Sequence, residues 1–178
     1  MTTREAAIAE LEAGQAALDA LMARLSYEHL EVARSIGGGD WSAKDLLGHI
    51  AGWEEIAVQT LDEWRDGTPP WIEEFFAMSD GVDQLNADND LHGSSLSLDE
   101  TRIRADDAHR RLLAEITAMS DEEWNTKAWY PTEKRKTLAA LLGSILGGRQ
   151  RPFGHVFDHL ADLEAYVEEV ASGRPPPP

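Results

Sequence analysis

The chain has no cysteine among its 178 residues, so it forms no disulfide, offers no thiolate to a metal and has no sulfur nucleophile of its own. Any thiol chemistry here needs a thiol from outside. Positive charge is scarce as well, with 16 Lys and Arg against 33 Asp and Glu and a formal charge of -17. That field repels phosphate backbones and anionic bilayers, so neither nucleic acid nor a membrane surface is expected as a partner. Long apolar runs are missing. The longest weakly polar stretch, Leu138 to Gly148, is too short to span a bilayer, and the opening MTTREAAIAELEAG carries acids where a signal peptide has its apolar core. A cytoplasmic location is the resulting expectation. No segment alternates apolar and polar residues long enough for a strand, and no internal repeat shows, which makes the expected fold class all-α. Phosphate loops, dinucleotide fingerprints, nucleophile elbows and H-E-x-x-H pairs are all absent.

What is present is a packable core: 42% hydrophobic residues and six Trp, enough to offset the entropy of ordering the chain. A chain of this length suits one domain, expected over 1-172, that buries roughly 70% of its unfolded surface. The residues 173-178 read as a Pro-rich flexible tail. Ile8, Leu11, Leu18, Met22 and Leu25 recur at helical spacing and predict a first long helix. Ser42 followed by Asp45 has capping-box spacing, so a second helix is expected from near Ala43 to about Asp66, ended by Gly67, Pro69 and Pro70. Trp71, Phe75 and Phe76 should pack a crossing segment onto the helices. A shorter helix is expected over about Gly81 to Leu91, breaking at His92, and a third long one from Leu98 after a Ser97 cap. Residues 120-136 are polar, with Trp124 and Trp129 as anchors. A short apolar helix, Leu138 to Leu146, precedes a last long helix over about Pro152 to Ala171, with Pro152 in its first turn. Four long amphipathic segments with a long connection between the second and third suggest a four-helix bundle with one crossover.

Histidine placement is the remaining chemical signal. His155 and His159 stand four residues apart, about 40° around a helix axis, so their imidazoles leave one face a turn apart and can converge on one cation. His49 falls at the edge of the buried face of the second helix. Three imidazoles from two helices form a ligand set with an open position, suited to zinc, nickel or iron. The same pattern has a plainer reading. A single histidine on an apolar face is more often a hydrogen-bonded core residue than a ligand, and H-x-x-x-H arises by chance on exposed helices, so periodicity leaves both open. Asp162 shares the face of His155 and His159 and either orients an imidazole, joins the ligands itself or, the preferred reading in so acidic a chain, is an ordinary solvated acid. His109 also points inward and is either a competing ligand or, the preferred reading, a core histidine; His29 and His92 fall near helix boundaries. Trp53 and Trp129 are candidate pocket walls. If the three histidines share an ion, protons should compete for them below their ordinary pKa of about 6.5, and affinity should fall between roughly pH 6.5 and 5.

The run from Trp41 to Glu54, WSAKDLLGHIAGWE, resembles the W-S-x-K-D-x-x-x-H-x-x-x-W-E signature of the DinB/YfiT-like superfamily. Val82-Asp83-Gln84-Leu85-Asn86, the Ser97 to Met119 helix and the Gly-containing turn into H-x-x-x-H resemble its ClbS/DfsB branch. The resemblance covers most of residues 36 to 165. It implies a four-helix bundle and a divalent metal held by His49, His155 and His159. It also implies metal-dependent enzymes that use low-molecular-weight thiols, or proteins that inactivate a small toxin. The stretch Gly147-Gly148-Arg149-Gln150-Arg151-Pro152-Phe153-Gly154 departs from the branch's usual entry to this helix. Two functions follow. One is an enzyme activating an external low-molecular-weight thiol or water against a small electrophilic substrate, as a thiol transferase or hydrolase; the other is a non-enzymatic binding module for a small molecule or protein. A homodimer is left open.

Overall fold

Side-chain hydroxyls set where most helices begin. Thr3, Ser26, Ser42, Ser97, Ser120 and Thr137 each accept a hydrogen bond from the backbone N–H three residues on, which satisfies a donor that a first turn otherwise leaves orphaned. Ser42 and Ser97 complete full capping boxes with Asp45 and Glu100. The computed structural model describes residues 2–37, 40–132, 134–149 and 151–173. In chain order they form α1 (Arg4–Met22), α2 (Tyr27–Leu30), α3 (Ala43–Arg65), α4 (Ile72–Ala77), α5 (Gly81–Ser94), α6 (Leu98–Ala118), α7 (Asp121–Trp124), α8 (Leu138–Ile145) and α9 (Phe157–Ala171). The Pro-rich tail lies outside the described residues from position 174 onward, as does Gln150 of the stretch before the last helix.

The protein is all-helical among the described residues, where a lone antiparallel bridge between Lys127 and Thr137 is the sole β pairing. No helix there is long and apolar enough to cross a membrane. The four long helices are α1, α3, α6 and α9; α3 packs along α6, and α1 lies against both α6 and α9. Between α3 and α6 the chain forms α4 and α5, which pack on each other, with α5 against α3. Trp71, Phe75 and Phe76 pack against the core as expected.

Two large apolar cores result, beside a small cluster of Ala51, Ala105 and Ala108. One gathers Trp53, Leu61, Leu112, Trp124, Leu141 and Phe153; the other gathers Leu18, Leu46, Ile50, Leu98, Val156 and Leu163. Both reach the entry to the last helix, because Phe153 belongs to the first core and Val156 to the second. In α3 the changeover comes between Ile50 and Trp53. His49 and His155 therefore sit at the seam between the cores.

The structure departs from the periodicity at several places. α1 ends at Met22, so Leu25, though buried, lies beyond it. α5 runs on through His92 to Ser94. The largest difference is at the last helix, which starts at Phe157 rather than Pro152. Phe153 adopts a left-handed backbone with φ of 60° and buries its ring in stacked contact with Trp124, centroids 5.6 Å apart. A left-handed residue cannot continue an α-helix, so burying this ring delays the helix and leaves His155 in the turn before it. That turn winds into α9 through backbone bonds of the tighter i to i+3 type, Asp158 N to His155 O and His159 N to Val156 O.

Candidate metal centre

Three segments bring the histidines together. His49 rides on the capped α3, where it is 4% exposed. His159 occupies the first turn of α9. His155, in the entry turn, donates its backbone N–H to the carbonyl of Leu146 at 3.1 Å, which ties it to the end of α8. The Nε2 atom of His155 lies 3.1 Å from that of His49 and 3.1 Å from that of His159. One ligand atom from each of the three lies within 4.8 Å of the others.

The donor chemistry fits a divalent ion. An imidazole nitrogen has a single in-plane direction, carrying either a proton or a lone pair. One shared proton can join two of these nitrogens, but it leaves the third facing them without a partner. An ion about 2.1 Å from each nitrogen would space its donors roughly 3.0 to 3.4 Å apart, for octahedral to tetrahedral angles. Metal binding also requires neutral rings, and burial favours that state. His49 is pushed down to about 3 by burial first and then by the neighbouring His155 and His159. His155 is pushed down to about 4 by burial and His159, against the opposing charge of Asp158. The pKa of His159 is lowered by burial, with Asp158 and Asp162 opposing and Arg149 adding to the shift.

A cavity of about 770 Å³ opens over the three rings. Its walls include Trp41, Trp53 and Phe76, with Asn86, Asp158 and Arg149 also facing it. The Trp41 ring lies 4.7 Å from His49 and 6.1 Å from His159; Trp53 meets His155 edge-on at 5.9 Å. The Nδ1 atom of His49 is buried with no hydrogen-bond partner among the described residues, so packing, with Trp41 foremost, fixes this ring rather than an outer carboxylate.

Other sequence candidates fall elsewhere. Asp162 is exposed and lines the cavity without joining the three converging donors. Trp129 is 48% exposed and packs edge-on against Trp64, ring centroids 4.8 Å apart, so it walls no part of this cavity. His109 is a core histidine whose Nδ1 pairs with the buried Glu54 at 2.7 Å. Burial alone would lower its pKa, but the hydrogen bond and charge of Glu54, with Asp19 and Glu12 beyond, raise it. His29 hydrogen-bonds the Ser26 hydroxyl at 2.8 Å. Sequence reasoning did not single out Asp158 or Arg149. Asp158 accepts the Arg149 backbone N–H at 2.7 Å, and its place beside His159 was the signal available. Trp41 was legible as part of the motif and not as a wall.

Comparison with known proteins adds to this geometry. A solved structure, that of an uncharacterised protein from Escherichia coli UTI89, superposes with a TM-score of 0.78 at 14% identity over 96% of each chain; the likeness is one of fold. No curated protein matches the chain. The sequence profile of the DinB superfamily matches residues 10–147. That span takes in the capped α3 with His49 and stops short of His155 and His159, which join the site through the three-dimensional arrangement described above. With more than half its length matched and His49 inside the matched span, the chain belongs to the DinB superfamily.

Proposed function

We propose that the protein is a metal-dependent enzyme of the ClbS/DfsB-like branch, built as a four-helix bundle with a long crossover, in which His49, His155 and His159 hold one divalent ion. The ion is zinc, nickel or iron, the metals that neutral imidazoles accommodate. The observation that carries this reading is the meeting of three Nε2 atoms, one from the buried His49 and two from the half-buried His155 and His159, in the wall of the cavity. When bound, the ion supplies Lewis acidity and lowers the pKa of a thiol or water beside it.

The protein's own groups supply the setting. Burial keeps the imidazoles neutral, so their lone pairs stay available. Trp41 and Trp53 exclude water from two sides, and the open side of the cavity admits both a small electrophile and the nucleophile. With no cysteine in the chain, a sulfur nucleophile comes from a low-molecular-weight thiol. Arg149 and Asp158, both facing the cavity, offer a positive and a negative group to the polar parts of these small molecules.

The test uses protein purified without a nickel column. Metal content is compared between wild type and a His49→Ala, His155→Ala double variant, followed by thiol conjugation of a chromogenic electrophile with and without chelator. Wild type is expected to retain close to one ion per chain and the variant none, with activity abolished by chelator and restored by metal. Equal, negligible metal in both proteins overturns the reading; metal binding without turnover leaves a binding module in its place.

A further inference from the structure

Trp41 packs against His49 and His159, and Trp53 against His155; both give their indole N–H to the same helix. Trp41 Nε1 donates to Asp90 Oδ2 at 3.1 Å, and Trp53 Nε1 donates to Asn86 Oδ1 at 3.1 Å. Asn86 and Asp90 are four residues apart on α5, so they leave one face a turn from each other. Asn89, beside them, donates its Nδ2 hydrogen to the His49 carbonyl at 2.9 Å. Asn89 is held in turn by Arg104 from α6, at 3.2 Å, and Arg104 is clamped by Glu55 of α3 at 2.6 Å.

These polar contacts are the main grip of α5 on the site. The helix buries only Gly81, Leu85 and Gly93 of its own residues, which gives it little apolar hold. Asp90 is also a costly choice at its position. Its second oxygen is buried with no partner among the described residues. An apolar residue would avoid that burden, but it would leave the Trp41 N–H without its acceptor, and hydrogen bonds to a carboxylate are the stronger kind.

Resting on the metal reading above, we propose that Asp90 and Asn86 are positioning residues of the metal cavity: by holding the two indoles they fix the walls that keep the three imidazoles converged. The crossover is thereby part of the centre, although it contributes no ligand.

The experiment measures zinc affinity of the full chain by equilibrium dialysis for wild type, Asp90→Leu, Asp90→Asn, Trp41→Phe and the Asp90→Leu, Trp41→Phe double variant. Indole ¹⁵N–¹H resonances are recorded alongside, with the Trp41 signal identified by its loss in Trp41→Phe. Asp90→Leu is expected to weaken zinc by about tenfold, the lower end of what outer partners of a metal site are worth, and to move the Trp41 resonance. Asp90→Asn keeps an acceptor oxygen and should stay close to wild type. In the Trp41→Phe background Asp90→Leu should add nothing, because the two act through one contact. A moved Trp41 resonance with unchanged zinc affinity overturns the proposal, as does an effect that persists undiminished in the Trp41→Phe background. If Asp90→Leu does not fold, Asn86→Ala makes the same prediction through Trp53: a tenfold loss supports it, and a moved Trp53 resonance with unchanged affinity overturns it. Wild-type protein that binds no zinc overturns the metal reading itself, whereas zinc-binding wild type with indifferent variants overturns this proposal alone.

Discussion

Acid competes with a metal for imidazole lone pairs, and the depth at which this triad is buried sets where the competition begins. A histidine at the ordinary value of 6.5 is protonated about thirtyfold over neutral at pH 5, so three such ligands would together weaken metal binding by roughly 10⁴-fold between pH 7 and 5. In the folded protein His49 lies at about 3 and His155 at about 4, so both stay almost wholly neutral at pH 5. His159 is lowered in the same direction, which keeps its own penalty under about thirtyfold. The expected loss of affinity is therefore below roughly thirtyfold at pH 5, and the steep decline shifts toward pH 4. Equilibrium dialysis with elemental analysis at pH 7, 6, 5 and 4.5 measures this directly. A loss near 10⁴-fold by pH 5 would refute the buried, converged geometry, and an affinity that survives His155→Ala would place the ion elsewhere.

The same burial has a consequence for the metal-free fold. Because the folded values lie below that of the unfolded chain, the unfolded state takes up protons first, so stability is complete above about pH 6.5 and falls as the pH drops toward 4. From pH 6.5 to 5 the loss is about 2 kcal/mol for each of His49 and His155, or roughly 10 °C in melting temperature for the pair. Protonation of the acidic surface acts in the opposite sense by relieving repulsion, so the comparison is made against His49→Gln, which leaves the carboxylates in place. The acid-dependent loss should shrink by about 2 kcal/mol in that variant; an unchanged loss would contradict the assignment.

Removing His109 leaves the carboxylate of Glu54, 4% exposed, without its partner, so His109→Ala should cost about 3 to 5 kcal/mol in urea denaturation. With its folded pKa raised, His109 contributes stability that is fully present below about pH 6.5 and lost as the pH rises through the folded value; denaturation at pH 6 and 9 reads this against a Glu54→Gln, His109→Gln double variant. Gly52 leaves room for Asn89: a Cβ there would stand 2.0 Å from Asn89 Oδ1, so Gly52→Ala should displace that side chain from the His49 carbonyl and cost about 1 to 3 kcal/mol in thermal unfolding. Zinc at a hundredfold excess over its dissociation constant should stabilise the fold by about 2.7 kcal/mol, and differential scanning fluorimetry should show the shift vanish in His155→Ala.

Local signals in the sequence carried far. The capping box of Ser42 and Asp45 begins α3 at Ala43 as its spacing requires, because a cap is satisfied by neighbours within one turn. Amphipathic spacing located the long helices for the same local reason, and the two prolines after Gly67 mark the end of α3. His49, His155 and His159 were legible as candidates because apolar periodicity turned them inward and the family signature names them. The H-x-x-x-H pair was read as one helical turn, however, and in the structure it straddles the entry to α9. That difference comes from Phe153, whose ring is drawn into the core against Trp124, a contact between residues far apart in the chain. Nor does spacing show that His109 meets Glu54 across two helices, that Trp41 covers His49, or that α5 holds both cavity tryptophans. Sequence by itself determined which residues start helices, which face inward and which could ligate, since each depends on a few neighbouring residues. Tertiary structure decided which of the inward histidines meet and how deeply they are buried. Those outcomes arise where two separate cores join, and the desolvation that keeps the imidazoles neutral exists only once both cores have closed around them.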